Sequence, residues 1–508
     1  MKPELPGFYY DAEKNRYFPI KGRIPGSNSS SSSKTAQNPD PKPSQQEPDL
    51  QKRTNLKAAK LLSFRELNGN AIPLDKGKCN FKEEIQKLQA SCPEVWRYEH
   101  TSKTADAALE HAQICVQTLE GLIRRDFLLT GTMTGSLGLL DVGEALETSD
   151  FGCECAPFRV LPCKESGLQD RESPWKIWRP AGALEQLSSS ISSINLLGRY
   201  DAAENTSNSN RALITTLEPE VSGSVFVLNL DRALDFNSRF PITRESIHGG
   251  ASLDCTIWTA DCDLNGSHAA IGTNLGGALV DVERGASSWF LRSKSDVLAL
   301  QFHQSGNVIQ CGLRNGAIVS VDTRERPGRV SSRLTRHQIR YHCHSSNKTG
   351  RRSSNRQWFE LKGNLNPSRI IYMPSSVTCL ATLKTYDHYL MASSMDGSIV
   401  PTLDEAIRST HDERRSCPIV RRSRKFPYAY PIRDRSIRKI RYVSASGGVD
   451  GYVRIWSIKS GQLLSENKIS DSVPSVLSWP TPQRRRSCGD GSVLGAWIAS
   501  RESIFYVR

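Results

Sequence analysis

The chain has 508 residues, of which 37% are hydrophobic and 24% charged, and its formal net charge is +14. It contains no run of about eighteen apolar residues, and its start, MKPELPGFYY, lacks the apolar stretch of a signal peptide, so we expect a soluble protein of the nucleus or cytoplasm without membrane contact. Thirteen cysteines without a compact pattern favour reduced thiols over a secreted disulfide framework.

The first 52 residues divide into two segments. Residues 1–26 carry an aromatic run at 8–10, a polar turn and an aromatic pair at 17–18, which predicts a short aromatic hairpin. Residues 27–52 are rich in Ser, Pro and Gln and poor in apolar side chains, so we expect a disordered linker there.

Residues 53–93 have the pattern of a helix-loop-helix. Apolar residues recur at helical spacing over 54–67 and again over 81–91. Asn68-Gly69-Asn70 is a stop signal for the first helix, and Pro93 ends the second.

One pattern recurs along the rest of the chain: two alternating apolar runs flank a tight turn that contains glycine. The clearest copy is SASGGVDGYVRIWS at 444–457, and Asp-Gly or Asn-Gly turns of this kind are typical of β-hairpins. From Gly276 to Gly316 the distance is 40 residues, the length of one β-propeller blade of about 40 to 45 residues. The sequence therefore predicts an all-β fold, a seven-bladed WD40 β-propeller over 94–508, with blades at 113–146, 187–233, 252–285, 296–325, 370–406, 432–466 and 471–508.

The last predicted blade lacks one strand. We expect residues 94–101, EVWRYEHT, to supply it, because an N-terminal strand added there would cover an open sheet edge.

The positive charge lies mainly in two insertions between predicted blades, at 326–369 and 408–431. Residues 324–369 contain twelve Lys/Arg and two Asp/Glu, and residues 408–441 contain twelve and three, so the remainder of the chain is mildly acidic. Such stretches could bind nucleic acid through phosphate neutralisation and base stacking, or they could be solvated loops, targeting signals or protein contacts. The second class of function that we consider is therefore an RNA- or chromatin-associated propeller.

No pattern of an enzyme is present. The sequence has no GxxxxGK[ST] phosphate loop and no GxSxG nucleophile elbow, so we expect neither catalysis nor a cofactor. His337 and His342-Cys343-His344 lack the paired spacing of a closed zinc site, and we predict no metal.

Three residues of the repeats are assigned structural roles. Asp396 and Asp450 precede turn glycines, where an aspartate stabilises the turn, and Trp456 lies in the clearest repeat.

A different signal stands at the end of a third strand, Val321-Asp322-Thr323-Arg324. Side chains two residues apart point to one side of a strand, so Asp322 and Arg324 should lie together at the rim. Such a pair is either a surface ion pair of little energetic value or part of a docking surface, where arginine is enriched.

Several segments resemble one family. LPGFYYDAEKNRYFPIKG at 5–22, RELNGN at 65–70, RQWFELKGN at 356–364 and IYMPSSVTCL at 371–380 look like the WD-repeat proteins that associate with cullin-4 ubiquitin ligases, in particular the DDB1- and CUL4-associated factor four family, also called WD repeat-containing protein twenty-one. The resemblance implies a substrate receptor, whose propeller docks on the adaptor protein of the cullin-4 RING ligase and presents an unidentified target protein for ubiquitination.

The resemblance also implies an adaptor-binding site. The family motif is Trp-Asp-x-Arg at the end of a third strand; Asp322 and Arg324 match it, with Val321 in place of the Trp. In the preceding repeat Asp281 is retained, but Glu283 occupies the Arg position and Arg284 follows one residue later.

Receptors of this kind add a helix-loop-helix that inserts into the adaptor. That role would fall to residues 53–93, with Leu61, Leu62 and Phe64 as anchors.

Overall fold

The structure is a computed structural model of the chain. It describes residues 8–11, 16–19, 47–69, 71–74, 77–100, 105–118, 121–144, 155–162, 173–180, 182–197, 211–217, 222–230, 246–303, 305–324, 334–340, 356–362, 370–382, 389–396, 399–403, 433–434, 443–447, 451–457, 462–470, 476–478, 495–500 and 503–508. The chain divides into two units, Met1–Leu50 and Gln51–Arg508.

The first unit contains a two-stranded hairpin at the predicted position. Strands β1 (Phe8–Asp11) and β2 (Arg16–Pro19) are antiparallel, and Tyr10 is paired with Tyr17.

Two helices lie in the described residues, and a hairpin separates them. The elements are α1 (Glu47–Asn68), β3 (Ala71–Leu74), β4 (Gly77–Asn80) and α2 (Phe81–Ser91). Helix α1 begins at Glu47, so residues 47–52, which were expected to belong to a disordered linker, are helical. Pro48 is compatible with this start, since the first turn of a helix needs no N–H donor. It ends at the predicted stop, where Gly69 adopts φ 66° and its N–H donates to the carbonyl of Arg65 at 2.8 Å.

Strands make up the rest of the described chain. The first group is β5 (Val95–Glu99), β6 (Ala108–Thr118), β7 (Gly121–Gly131), β8 (Ser136–Glu144), β9 (Cys155–Pro157), β10 (Arg159–Pro162), β11 (Trp175–Pro180), β12 (Leu184–Gln186), β13 (Ile191–Leu197), β14 (Arg211–Thr216), β15 (Gly223–Asn229) and β16 (Ile247–Leu253). The second group is β17 (Ile257–Cys262), β18 (His268–Thr273), β19 (Gly276–Asp281), β20 (Ser287–Ser293), β21 (Val297–Phe302), β22 (Val308–Leu313), β23 (Ala317–Asp322), β24 (Leu334–Arg340), β25 (Arg356–Lys362) and β26 (Ile370–Tyr372). The third group is β27 (Val377–Thr382), β28 (Tyr389–Ser394), β29 (Ile399–Leu403), β30 (Arg433–Asp434), β31 (Val443–Gly447), β32 (Tyr452–Ser457), β33 (Leu463–Lys468), β34 (Val476–Ser478), β35 (Ala496–Ser500) and β36 (Ser503–Val507).

These strands build seven sheets of three or more strands within the described residues. In the hydrogen-bonded order of their strands they are the first sheet (β6-β7-β8-β11-β9, with β12 on β8), the second (β13-β14-β15-β16), the third (β17-β18-β19-β20-β25-β24), the fourth (β21-β22-β23-β26), the fifth (β27-β28-β29), the sixth (β31-β32-β33) and the seventh (β10-β5-β36-β35-β34-β30). Every pairing is antiparallel except that of β30 with β34. The predicted all-β class is confirmed.

The first five sheets pack against one another through their first strands. Strand β6 lies beside β13, β13 beside β17, β17 beside β21, and β21 beside β27. The seventh sheet contacts β6 through β34. The sixth and seventh sheets share an apolar cluster that includes Val453, Ile455, Phe505 and Val507.

A repeated irregularity marks these first strands. In β13, β17, β21 and β27 the register shifts after the first paired residue, which leaves one extra residue in each strand: Ser192, Trp258, Leu298 and Thr378. The sequence did not reveal this bulge, because these four residues share no chemical type. Its recurrence identifies the four sheets as copies of one structural unit.

The predicted blade boundaries differ from the observed sheets in several places. Strand β20 of the third sheet lies beyond the predicted end at 285, and β30, within the predicted blade 432–466, belongs to the seventh sheet. Three further differences arise because long segments separate the third and fourth strands. The fourth strand of the first sheet is β11, that of the second is β16, and that of the fourth is β26, which begins at the end of the 326–369 insertion. The same insertion contributes β24 and β25, and β25 pairs with β20 of the third sheet, Arg292 opposite Lys362. The insertion at 408–431 lies outside the described residues.

The seventh sheet joins distant parts of the chain. Strand β5 pairs along β36, with Tyr98 opposite Ile504, and Glu94 and Arg508 exchange two backbone hydrogen bonds at 2.9 Å. The predicted pairing of residues 94–101 with the last strands is confirmed.

A short segment links the outer edges of the first and seventh sheets. Strand β9 pairs with β11, and β10 pairs with β5. Between them Phe158 is buried, its N–H donates to the carbonyl of Ile177 at 3.0 Å, and its ring lies 4.8 Å from that of His100.

A buried carboxylate connects the third and fourth sheets. Asp261, in β17, is 2% exposed, and its Oδ2 accepts hydrogen bonds from Gln301 Nε2 at 2.9 Å and from the Phe302 N–H at 2.6 Å. Hydrogen bonds to a charged acceptor are stronger than neutral ones, and a buried donor without its acceptor is costly.

Asp261→Asn is therefore expected to lower the free energy of unfolding by about 1–2 kcal/mol, because the charge is lost and a new N–H₂ group is buried. Chemical denaturation followed by tryptophan fluorescence measures the change, with Asp254→Asn as the control, since Asp254 is exposed. Equal unfolding midpoints for the two variants would contradict the assignment.

Candidate protein-interaction site at the strand ends

The two motif aspartates occupy equivalent places in neighbouring sheets. Asp281 ends β19 and lies opposite His268, the first residue of β18, while Asp322 ends β23 and lies opposite Val308, the first residue of β22. Equivalent strand ends of the third and fourth sheets therefore carry the same acidic residue.

Asp322 and Arg324 form a closed pair. Arg324 Nε donates to Asp322 Oδ1 at 3.1 Å and Nη2 donates to Oδ2 at 2.7 Å, so the contact is bidentate. The Arg324 backbone N–H also donates to Oδ1 at 3.0 Å, which fixes the turn after β23. The arginine side chain remains 68% exposed, against 18% for the aspartate. The guanidinium is thus oriented by the chain, and the arginine side chain is mostly exposed.

Asp281 caps a similar but longer turn. Its Oδ1 accepts the backbone N–H groups of Glu283 and Arg284, each at 3.0 Å. The pKa of Asp281 lies below its usual range. The largest cause is the hydrogen bond from the Arg284 N–H, and the Glu283 N–H and the charge of Arg284 add to it. Gly285 closes the turn. Its φ is 66°, and its N–H donates a hydrogen bond to the Asp281 carbonyl at 2.9 Å. Arg284 is exposed beyond this turn.

Two grooves open beside these strand ends. The first, called the Thr323 groove, has a volume of about 480 Å³ between the third and fourth sheets, and its lining includes Asp263, Leu264, His268, Asn307 and Thr323. The second, called the Arg284 groove, has a volume of about 440 Å³ between the second and third sheets, and its lining includes Arg211, His248, Gly250, Glu283 and Arg284. Arg211 and His248 were not among the residues singled out from the sequence, because neither belongs to a motif recognised there.

The predicted anchor residues of helix α1 differ in their exposure to solvent. Leu62 is 48% exposed, whereas Leu61 and Phe64 are half-buried, and Lys60 Nζ lies 5.6 Å from the centre of the Phe64 ring. Leu67, which the sequence analysis did not select as an anchor, is 80% exposed. The apolar residues of the helix therefore do not all face one packed surface.

The structure describes two of the three residues that were assigned structural roles in the repeats. Asp396 accepts a hydrogen bond from the hydroxyl of Ser394, and Trp456 is buried in β32. Asp450 lies outside the described residues, although the following Gly451 has φ 76°, as a tight turn requires.

Two other findings concern chemistry and membranes. Among the residues that the structure describes, no three His, Cys, Asp or Glu side chains are grouped as metal ligands would be. Within the same part of the chain, no helix has the length and apolarity to cross a membrane.

The chain matches no protein-family model and no curated protein.

Proposed function

We propose that the chain is a seven-bladed WD40 β-propeller that acts as a non-catalytic substrate receptor of a cullin-4 RING ubiquitin ligase, in the nucleus or cytoplasm. The propeller is supported by the seven sheets, by the contacts between first strands, and by the bulge that recurs in four of them. Pairing of β5 with β36 supports a ring whose last blade is completed by an N-terminal strand.

The observation that carries the receptor proposal is the geometry of Arg324. Its guanidinium is held by Asp322 in a bidentate contact and is nevertheless mostly exposed. An arginine that is ordered before binding loses less side-chain entropy when a partner docks, and arginine is common among the residues that dominate binding energy. In an exposed setting the pair itself contributes little to folding, so its geometry is better explained by recognition than by stability.

The adaptor would meet the strand ends of the third and fourth sheets. Arg324, held by Asp322, would make the central contact with the adaptor. Asp281 and Arg284 would lie at the periphery of this contact. Helix α1 would add Leu62, which is exposed, with Leu61 and Phe64 beside it. The ubiquitination chemistry would reside in the partner proteins, and the target protein would bind elsewhere on the propeller.

Arg324→Ala is expected to reduce capture of the purified adaptor protein by at least ~10-fold in affinity, and Arg324→Glu by more, because the second change also introduces repulsion towards the surface that accepts the arginine. Surface plasmon resonance on the full chain measures both. The matched control is Arg314→Ala, since Arg314 is 66% exposed and also pairs with an aspartate, Asp296, but lies at the opposite end of β23.

Undiminished capture by Arg324→Glu would remove this site. Failure of the unmodified chain to bind the adaptor at all would remove the receptor proposal.

A further inference from the structure

The Arg284 groove has a composition unlike that of its neighbour. Three basic side chains line it, Arg211 at the start of β14, His248 in β16 and Arg284 after β19, against one acidic side chain, Glu283. The Thr323 groove, in contrast, contains Asp263 and His268 and no lysine or arginine. The excess of positive charge is therefore confined to one of the two grooves.

One further carboxylate belongs to the same turn. Asp281 accepts two backbone hydrogen bonds there, and its negative charge also interacts with the positive charge of Arg284, so it offsets part of the positive charge. Arg284 remains exposed at the groove.

Part of the wall of the Arg284 groove is formed by three glycines, Gly249, Gly250 and Gly285. Gly249 and Gly250 lie in β16, where the register shifts so that Gly250 is an extra residue opposite β15. Gly285 packs so closely that a β-carbon there would overlap the Gly250 carbonyl oxygen. Nothing lies within 4 Å of the position that a β-carbon of Gly249 would take. A ligand can therefore approach the main chain while basic side chains surround it.

We propose that the Arg284 groove binds a phosphate monoester, carried by a phosphorylated serine or threonine of a partner protein. A phosphate monoester bears close to two negative charges and three acceptor oxygens, which match two guanidinium groups and an imidazole. The groove shares Arg284 with the periphery of the proposed adaptor surface but does not include Arg324, and the phosphate proposal does not depend on the receptor proposal.

A nucleic-acid backbone fits this groove less well. Binding of an extended polyanion requires a continuous basic track, whereas the next positions along these strand ends carry Glu283, Asp263 and Asp322. A compact dianion needs only the local group of cations.

The test uses the full chain and isothermal titration calorimetry with three peptides of one sequence, Gly-Ala-X-Ala-Gly, where X is phosphoserine, serine or glutamate. The phosphoserine peptide is expected to bind, with the glutamate peptide at least ~10-fold weaker and the serine peptide without measurable binding. Arg284→Gln and Arg211→Gln should each weaken phosphoserine binding by ~10-fold, whereas Glu283→Gln should strengthen it by ~2- to 3-fold by removing a repelling charge.

Two control variants separate this proposal from the previous one. Arg314→Gln and Arg324→Ala should leave phosphoserine binding unchanged, while Arg324→Ala still loses adaptor capture. Equal binding of the glutamate peptide, unchanged binding by Arg284→Gln, or weaker binding by Glu283→Gln would each overturn the phosphate assignment. A uridine oligonucleotide that binds more tightly than the phosphopeptide and loses affinity in the Arg284→Gln variant would reassign the groove to nucleic acid.

Discussion

Tyr98→Ala is expected to lower the free energy of unfolding by about 3–5 kcal/mol, the range for deleting a large buried aromatic side chain. Tyr98 has no exposed surface and lies in β5, the strand that joins the N-terminal part of the chain to the C-terminal strands. Its ring is 5.5 Å from that of Trp497, and its hydroxyl is hydrogen-bonded to Ser173 and to the Trp175 carbonyl. Removal of the ring would leave a cavity and also weaken the pairing of β5 with β36.

Tyr98→Phe provides the matched control. It keeps the ring and removes only the hydroxyl, so a loss of about 1 kcal/mol is expected. Chemical denaturation followed by tryptophan fluorescence is suited to the comparison, because Trp96 and Trp497 belong to the same cluster. If the alanine and phenylalanine variants unfolded at the same denaturant concentration, the packing role of the ring would be refuted.

Gly312→Val should destabilise the chain by about 3 kcal/mol, the upper part of the usual range for overpacking a core. Gly312 lies near the end of β22, and a β-carbon there would overlap the side chain of Val377 at the start of β27 in the next sheet. It would also come within 3.2 Å of the Ala299 β-carbon. Because both neighbours are buried β-strand residues, the clash can be relieved only by moving one sheet away from the other.

Gly249→Val is the matched control, since Gly249 is also in a strand and an added β-carbon would meet nothing within 4 Å. We expect its free energy of unfolding to stay within about 0.5 kcal/mol of that of the parent chain. A Gly312→Val variant as stable as Gly249→Val would show that the contact between the fourth and fifth sheets is loose.

The turns and the joining of distant strands could be predicted from local chemistry. Gly135, Gly276, Gly316 and Gly451 all have positive φ, which explains why glycine marks the turns that the repeat pattern identified. Residues 94–101 were predictable as a strand partner because an incomplete final repeat needed one more strand, and β5 fills that place.

The fourth strands could not be predicted with the same success. Strand β11 follows the poorly patterned stretch after Glu144, and β26 follows an insertion of more than forty residues, so sequence distance no longer indicates which strand pairs with which. Strand β16 reads IHGGASL, whose two glycines resemble a loop signal. Hydrogen bonding to a neighbouring strand, and not local propensity, makes this segment extended.

The residues of the candidate site also divide into those that the sequence could predict and those that it could not. Asp322 and Arg324 were predictable because they are two residues apart on one strand end. Arg211 and His248 come from two strands of a different sheet from Arg284, so no spacing in the sequence relates them to it. Only the packing of the second sheet against the third brings these residues to one groove.

The pairing of β5 with β36 also constrains the order of events during synthesis. Arg97 and Ser503, which hydrogen-bond in the finished sheet, are separated by 406 residues. On the ribosome the hairpins of the earlier sheets have their partners within a few tens of residues, and β10 can pair with one edge of β5, whereas the other edge of β5 must wait until the codon for Val507 has been translated and that segment has left the exit tunnel. For most of translation one edge of β5 is therefore without its final partner, and such an open strand edge is a natural target for chaperones.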